Sequence, residues 1–278
     1  MKTLKSGSRL YLYVLFFAWL IFPGCHKATQ QQQLPSIDAT SIPSVLQGAY
    51  LGELRLPDQT TTEILNGGST VRFHFPRGIY LVGRDTAGQI RMLTETDFTC
   101  TGDCTEGCNV FYIRKHFACS QCEPGTISCT GKSLSLSGLQ GYGFVDFKQG
   151  VHFVKDTQQI KYLFSPPDAL FDIPEVRKGM EQFNMANYGV AHPDFSHPEA
   201  YRPVAVNLFG CLVTYLVPKN GQLRTDANVS ELIDASSWYC HCDQGDTGCT
   251  MESGLGYKMC KKGNCISCRM HVDEQSLD

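Results

Sequence analysis

The sequence predicts a β-rich α+β fold built from antiparallel sheets, two short helices and two cysteine-rich segments. Three observations predict it. Short runs in which apolar and polar residues alternate recur along the chain. Two stretches instead carry apolar residues at helical spacing. Of fourteen cysteines, twelve fall into two windows of six.

The strands follow in order. Val71, Phe73 and Phe75 alternate with Arg72 and His74, the mark of a half-buried strand. Ile79 to Val82 forms the next, with a turn near Asp85–Gly88. Leu134 and Leu136 alternate with serines, and Phe144–Asp146, Val151–Val154 and Ile160–Phe164 continue the pattern. Val204, Val206 and Leu208 alternate again. Leu212–Val217 then runs into Pro218-Lys219-Asn220-Gly221, where Asn-Gly signals a hairpin. The first helix is expected after Asp172 as its cap, with Pro174 in the first turn and Gly189 just past the end. Ile173, Val176, Met180 and Phe183 form its apolar stripe. The second is expected from Asn228, with Glu231 three residues on as in a capping box and Val229, Leu232 and Ile233 turned inward. Both helices serve packing.

The first cysteine window comprises Cys100, Cys104, Cys108, Cys119, Cys122 and Cys129; the second comprises Cys240, Cys242, Cys249, Cys260, Cys265 and Cys268. Each holds three cysteines, ten intervening residues and three more. Upstream, Tyr80-Leu81-Val82 leads to Gly88-Gln89-Ile90-Arg91, and Tyr215-Leu216-Val217 leads to Gly221-Gln222-Leu223-Arg224. These echoes point to an internal duplication of a hairpin, a connector and a six-cysteine knot.

Six cysteines per window suffice for three disulfides, with connectivity left open. The residues between them are rich in Gly, Thr, Ser, Asp and Asn. They offer little to bury, so covalent closure is what would hold their shape. The alternative is a soft metal (Zn, Cu or an Fe–S cluster), because Cys119-x2-Cys122 and Cys265-x2-Cys268 have half-site spacing and His116 and His241 lie in the windows. Cys240 and Cys242 are too close for a relaxed mutual bridge. Cys-x-x-Cys-His is absent, which excludes covalent haem by pattern. Cys211, in an apolar run, reads as a packed free thiol.

Residues 1–25 have three parts. Lys2, Lys5 and Arg9 make a positive head, Leu10–Phe22 is a thirteen-residue apolar run, and Pro23-Gly24-Cys25 ends it. This is the pattern of an export signal, and the apolar run is shorter than the roughly 20 residues of a membrane span. Phe22-Pro23-Gly24-Cys25 resembles the lipobox of bacterial lipoproteins, with Pro23 departing from the usual small or hydroxylated residue. The resemblance covers the leader alone. It implies cleavage before Cys25, lipid on that cysteine and anchorage to a membrane from outside the cytoplasm. By the same analogy, His26 in place of aspartate favours an outer membrane. An ordinary cleaved signal and an uncleaved anchor helix are the alternatives.

The expected organisation is a leader over 1–24, a polar tether over 25–44 containing four glutamines, and a first β-rich lobe with its cysteines over 45–135. Connecting strands and a helix follow over 136–199, then a second lobe over 200–278. The chain of 278 residues carries a net charge of −3, which becomes more negative when Lys2, Lys5 and Arg9 leave with the leader. No basic run or basic–aromatic face occurs, so nucleic acid is not an expected partner. The expected partners are a membrane, through the lipid anchor, and an envelope protein or glycan.

His192, Asp194, His197 and Glu199 form the most polar loop, suited either to metal binding or acid–base work or to a plain surface turn. His-Glu-x-x-His, Gly-x-Ser-x-Gly and a phosphate loop are absent, and Gly138–Gly143 (GLQGYG) lies among strands instead of before a helix. No catalytic residue is assigned. The leading expectation is a disulfide-stapled binding or structural component of the cell envelope. A metal-binding or electron-transfer lipoprotein is the first alternative, and an envelope hydrolase the second.

Overall fold

A computed structural model describes residues 42–102, 107–120, 129–219, 223–224, 229–242, 249–254, 257–262 and 268–271. The chain opens with a small hairpin, β1 (Tyr50–Leu51) and β2 (Leu54–Arg55), followed by β3 (Thr61–Leu65) and β4 (Thr70–His74). A second hairpin pairs β5 (Ile79–Arg84) with β6 (Ile90–Leu93), and β7 (Glu95–Thr101) carries Cys100, the first cysteine of the first window. Then come β8 (Val110–Ile113), β9 (His116–Cys119), β10 (Thr130–Lys132), helix α1 (Leu134–Ser137), β11 (Gln140–Asp146), β12 (Val151–Phe153) and helix α2 (Thr157–Ile160). Helix α3 (Pro174–Tyr188) precedes the long pair β13 (Tyr201–Leu208) and β14 (Cys211–Pro218). The second window supplies β15 (Tyr239–Cys242), β16 (Cys249–Gly254), β17 (Tyr257–Lys262) and β18 (Cys268–His271).

The sheets are ordered β2-β1-β9-β8, β10-β7-β4-β3, β11-β5-β6, β12-β13-β14-β17-β16 and β15-β18. Among the described residues the named strands pair antiparallel except for the parallel contact of Tyr50 with His116, and the isolated bridge of Phe164 with Cys211 is parallel too. The β-rich α+β class read from the sequence is therefore the one observed.

The sheet β11-β5-β6 separates two cores. Successive strand residues point to opposite faces. Leu81 and Phe144 enter one core with Leu56, Val71, Phe73 and Phe117. Their neighbours Val82 and Val145 enter the other, with Ile173, Val176, Val206 and Tyr215. Both faces being covered, these strands lack a polar side, as do β13 and β14. Val204, Ala205, Val206, Asn207 and Leu208 are all buried, so this segment is a two-faced strand and not the half-buried one its alternation suggests.

Helix α3 matches its stripe. Ile173, Val176, Met180 and Phe183 are buried, and Gly189 ends the helix in the left-handed region at φ 75°. The cap differs: Ile173 occupies that position without a side-chain bond, and Asp172 pairs with Arg84 instead. The helix expected from Asn228 is reduced to a 3-10 turn, Val229–Glu231, with Asn228 outside the described residues. Leu232 still turns inward.

Two expected strands do not form: Leu134–Ser137 is a helical turn, and the segment Ile160–Phe164 begins at the end of another. At α1 the serines that suggested alternation make polar bonds. Ser133 Oγ accepts from the Leu136 N–H at 3.3 Å, Ser135 donates to Asp97 at 2.9 Å, and Leu134 is exposed. At α2, Asp156 accepts from the Gln158 N–H at 2.8 Å and starts a turn, leaving Phe164 with an isolated bridge to Cys211. The hairpin expected at Asn220-Gly221 falls outside the described residues. β14 pairs with β13 through a turn at Phe209-Gly210, and with β17 on its other side.

Disulfides join Cys100 to Cys119, Cys108 to Cys129 and Cys240 to Cys260. Each closes a loop of about 20 residues, which restricts the unfolded chain by about 3 kcal/mol on the chain-entropy account. Cys104, Cys122 and Cys265 lie outside the described residues, and for Cys242, Cys249 and Cys268 only the backbone is described. Cys25 and the tether up to residue 41 also lie outside, while Ile42 packs against the core and the Pro43 and Ser44 carbonyls accept from Thr62. Among the described residues, no helix is long and apolar enough to cross a membrane.

Candidate functional site

A cleft of about 510 Å³ lies between the β1–β2 hairpin, the start of β11 and the segment from Lys161 to Asp168. Its size falls within the range of small-molecule sites, roughly 300–1,000 Å³. Its rim carries Glu53, Arg55, Lys161 and Asp168, and Tyr142 contributes an aromatic wall. Cys260 lines it too, so the second window's disulfide to Cys240 is part of the enclosure.

Local chemistry sets each wall. Arg55 donates from Nη1 to the Lys161 carbonyl at 2.9 Å, tying the hairpin to the end of α2. Lys161 donates to Gln158 Oε1 at 3.0 Å. The Asp168 N–H donates to the Gly141 carbonyl at 2.8 Å, fastening the facing segment to β11. There β11 is irregular, its register shifting between Gln140 and Gly143. Gly141 sits at φ 53°, in left-handed space, and a Cβ on it would strike the Asp168 carboxylate. A Cβ on Gly143 would meet the Ser165 carbonyl oxygen at 2.8 Å. The glycines of GLQGYG thus permit a bulge and a close backbone approach, as bulged strands beside functional sites often do.

The electrostatics centre on Glu53. Its Oε2 is buried and has no hydrogen-bond partner among the described residues. Burial raises the Tyr142 phenol above its ordinary value, and the negative charge of Glu53 adds to this. Tyr142 therefore stays neutral at physiological pH.

The polar loop does not form a site with this cleft. His192 lies 3.9 Å from Glu181, while His197 lies 3.4 Å from Glu199, so each histidine faces a different carboxylate. All four of these side chains are solvent-exposed. Asp194 accepts from the Ser196 N–H at 2.9 Å and its hydroxyl at 3.1 Å. These bonds, with the charge of His197, hold its carboxyl below the ordinary range. The segment is a solvated turn after α3.

Among the described residues, no group of three or more His, Cys, Asp or Glu is placed to hold a metal ion. Cys119, half of the proposed metal spacing in the first window, is bonded to Cys100. Cys211 is buried as a free thiol and donates to the Phe144 carbonyl at 3.1 Å. Burial pushes its thiol far above the ordinary value, with Asp146 adding to the shift, so it is not an activated nucleophile.

Glu53, Arg55, Tyr142, Lys161 and Asp168 were not singled out by sequence. They come from three separated stretches with no common spacing, and only GLQGYG gave a local signal. Compared with known protein families, curated proteins and solved structures, the chain shows no match.

Proposed function

We propose that this protein is a disulfide-stapled binding component of the cell envelope, cut at Cys25 and held to a membrane from outside the cytoplasm by lipid on that cysteine. The observation that carries the binding role is the cleft itself, and in particular that Cys260, bonded to Cys240, forms part of its wall. The staple and the candidate site are one piece of structure. A site shaped by a disulfide suits an oxidising compartment, where such bonds persist. The leader, with its positive head, short apolar run and Gly24-Cys25, supports the same address. Several acyl chains on one residue hold a protein firmly, since each buried methylene contributes about 0.8 kcal/mol.

Metabolic labelling with an alkyne analogue of palmitate tests the anchor. The full chain is expected to take up label, to enter the detergent phase and to lose both properties in Cys25→Ser. An unlabelled product that begins at Met1 and fractionates with cytosol refutes the proposal.

A further inference from the structure

We propose that the turn between β8 and β9 docks on anionic headgroups of the membrane that holds the protein's own lipid anchor. This rests on the anchor at Cys25 and goes beyond it, naming the side of the body that meets the bilayer and the residues that touch it.

Arg114 and Lys115 make that turn, between the paired residues Ile113 and His116. Both are exposed, and among the described residues neither side chain enters an ion pair. Arg114 sits at φ 47° and Lys115 at φ 69°, a conformation that a two-residue turn fills most readily with Asn-Gly. Between Gly254 and Tyr257, the matching turn of the second window holds Leu255-Gly256. The hairpin itself therefore does not call for two cations. Non-glycine residues held in left-handed space cluster at ligand-facing positions. The turn is also braced from behind. The Tyr50 N–H donates to the Lys115 carbonyl at 2.7 Å, and the His116 ring stacks on Tyr50 with centroids 5.1 Å apart. Little order remains to be imposed when a partner binds.

The chain enters the body beside this turn. The Ser44 carbonyl accepts from the Thr62 N–H, and the Leu46 N–H donates to the Thr60 carbonyl. Gly48 follows, and a Cβ on it would lie 3.1 Å from the Lys115 ammonium nitrogen. From Ile42 to Gly48 the chain spans at most about 22 Å. Residues 26–41 alone separate Cys25 from Ile42. Lipid on Cys25 thus holds the protein by the side on which Arg114 and Lys115 stand. Asp58 brings a carboxylate to this side, accepting from the Gly48 N–H at 2.7 Å, and Arg55 at 3.8 Å matches its charge. The two turn cations are left to act outward. Tethering raises the local concentration of headgroups, so a weak attraction suffices. Each Lys or Arg near an anionic surface strengthens binding about fivefold. An acyl anchor combined with a basic patch is a known physical basis for stable membrane attachment.

The test places the protein, expressed from its full chain, on vesicles of phosphatidylcholine alone or with about 30 mol% phosphatidylglycerol. An uncharged acylating ester labels accessible lysines, and mass spectrometry reads the rates at Lys115 and at Lys178, which is exposed on α3. Lys115 is expected to react about fivefold more slowly on the anionic vesicles, and Lys178 equally on both. Salt at about 0.5 M should abolish the difference, because it screens charges beyond a few ångströms. Arg114→Asn suits the turn better than arginine and keeps Lys115 as the reporter; it is expected to reduce the slowing to about twofold or less. Equal labelling of Lys115 on both vesicles overturns the docking assignment. So does a slowing that survives salt, that Lys178 shares, or that Arg114→Asn leaves undiminished. Flotation reads the anchor separately: a chain that does not float with phosphatidylcholine vesicles refutes lipid on Cys25, whatever Lys115 does.

Discussion

Replacing Cys100 and Cys119 together by alanine is expected to destabilise the protein by about 3–5 kcal/mol. The two residues are 19 apart, so the bridge closes a loop of about 20 residues. On the chain-entropy account, a loop of that length restricts the unfolded state by about 3 kcal/mol. The rest comes from packing: Cys100 is only 4% exposed and belongs to the core with Val71 and Phe73, and deleting a buried group of methyl size costs about 1 kcal/mol. The double variant leaves no odd thiol to reshuffle. Urea unfolding followed by fluorescence measures the loss, and the slope should rise as the released chain expands. The Cys240–Cys260 pair, 20 residues apart with Cys260 equally buried, should give a similar loss. A loss under about 1 kcal/mol in both variants refutes the view that covalent closure holds these segments in shape.

Three further outcomes are expected. Asp85 accepts from the Gln89 N–H at 2.9 Å, and this bond, with those from Arg91 and Ala87, outweighs burial and lowers its carboxyl below the ordinary 3.8. The contribution of the Asp85 turn is then present above the unfolded value and lost as pH falls through the lower folded value, which an NMR titration of the Gln89 amide reads directly. A Gln89 amide that stays unchanged down to pH 2 contradicts it. Iodoacetamide should leave Cys211 untouched in the folded, oxidised protein and modify it after unfolding, as mass spectrometry of its peptide will report; prompt labelling of the native state is the contrary result. Tyr215→Phe should cost about 1–3 kcal/mol in thermal or urea unfolding, because the fully buried Tyr215 hydroxyl donates to Asn184, whose own amide holds the Ala191 carbonyl at 2.7 Å. A neutral substitution would show that the acceptor finds another donor.

The fold was legible where one local rule decided the matter. The α3 stripe, its ending at Gly189 and the turn at Asp85–Gly88 all depend on residues close in sequence. The failures share a cause. In the stretch after Ser133, apolar and polar residues alternate as in a strand, yet the serines bond to backbone and to Asp97, and the chain turns helically. In β13 the alternation suggested a solvated face, but α3 covers one side and the segment before Trp238 the other. Burial on both sides is decided by elements far along the chain. The cleft was illegible for the same reason. Its charged groups are brought together by the pairing of β11 with β5 and by the bond from Arg55 to Lys161, neither of which leaves a spacing in the sequence.

The cysteine spacing was more informative than its chemistry. The ten residues between the third and fourth cysteines of each window are in large part a β-hairpin. In the first window β8 turns into β9 through Arg114 and Lys115, both at positive φ, as a two-residue hairpin turn requires. In the second, β16 and β17 pair up to Gly254 and Tyr257, again two residues apart. In both windows the strand before the hairpin carries the first cysteine, and a disulfide ties it to the fourth cysteine on the hairpin's returning strand. A gap of that length is what the return path of such a hairpin needs before the fourth cysteine can come back to the first. The windows then part. Cys108 bonds Cys129, third to sixth, whereas the backbone register of β15 and β18 sets the second cysteine, Cys242, against the sixth, Cys268. The shared strand, hairpin and first-to-fourth bridge are what the repeated spacing of the two windows has in common. The second window differs from the first in having a two-stranded sheet of its own, β15-β18, while Cys260 of its first-to-fourth bridge walls the cleft.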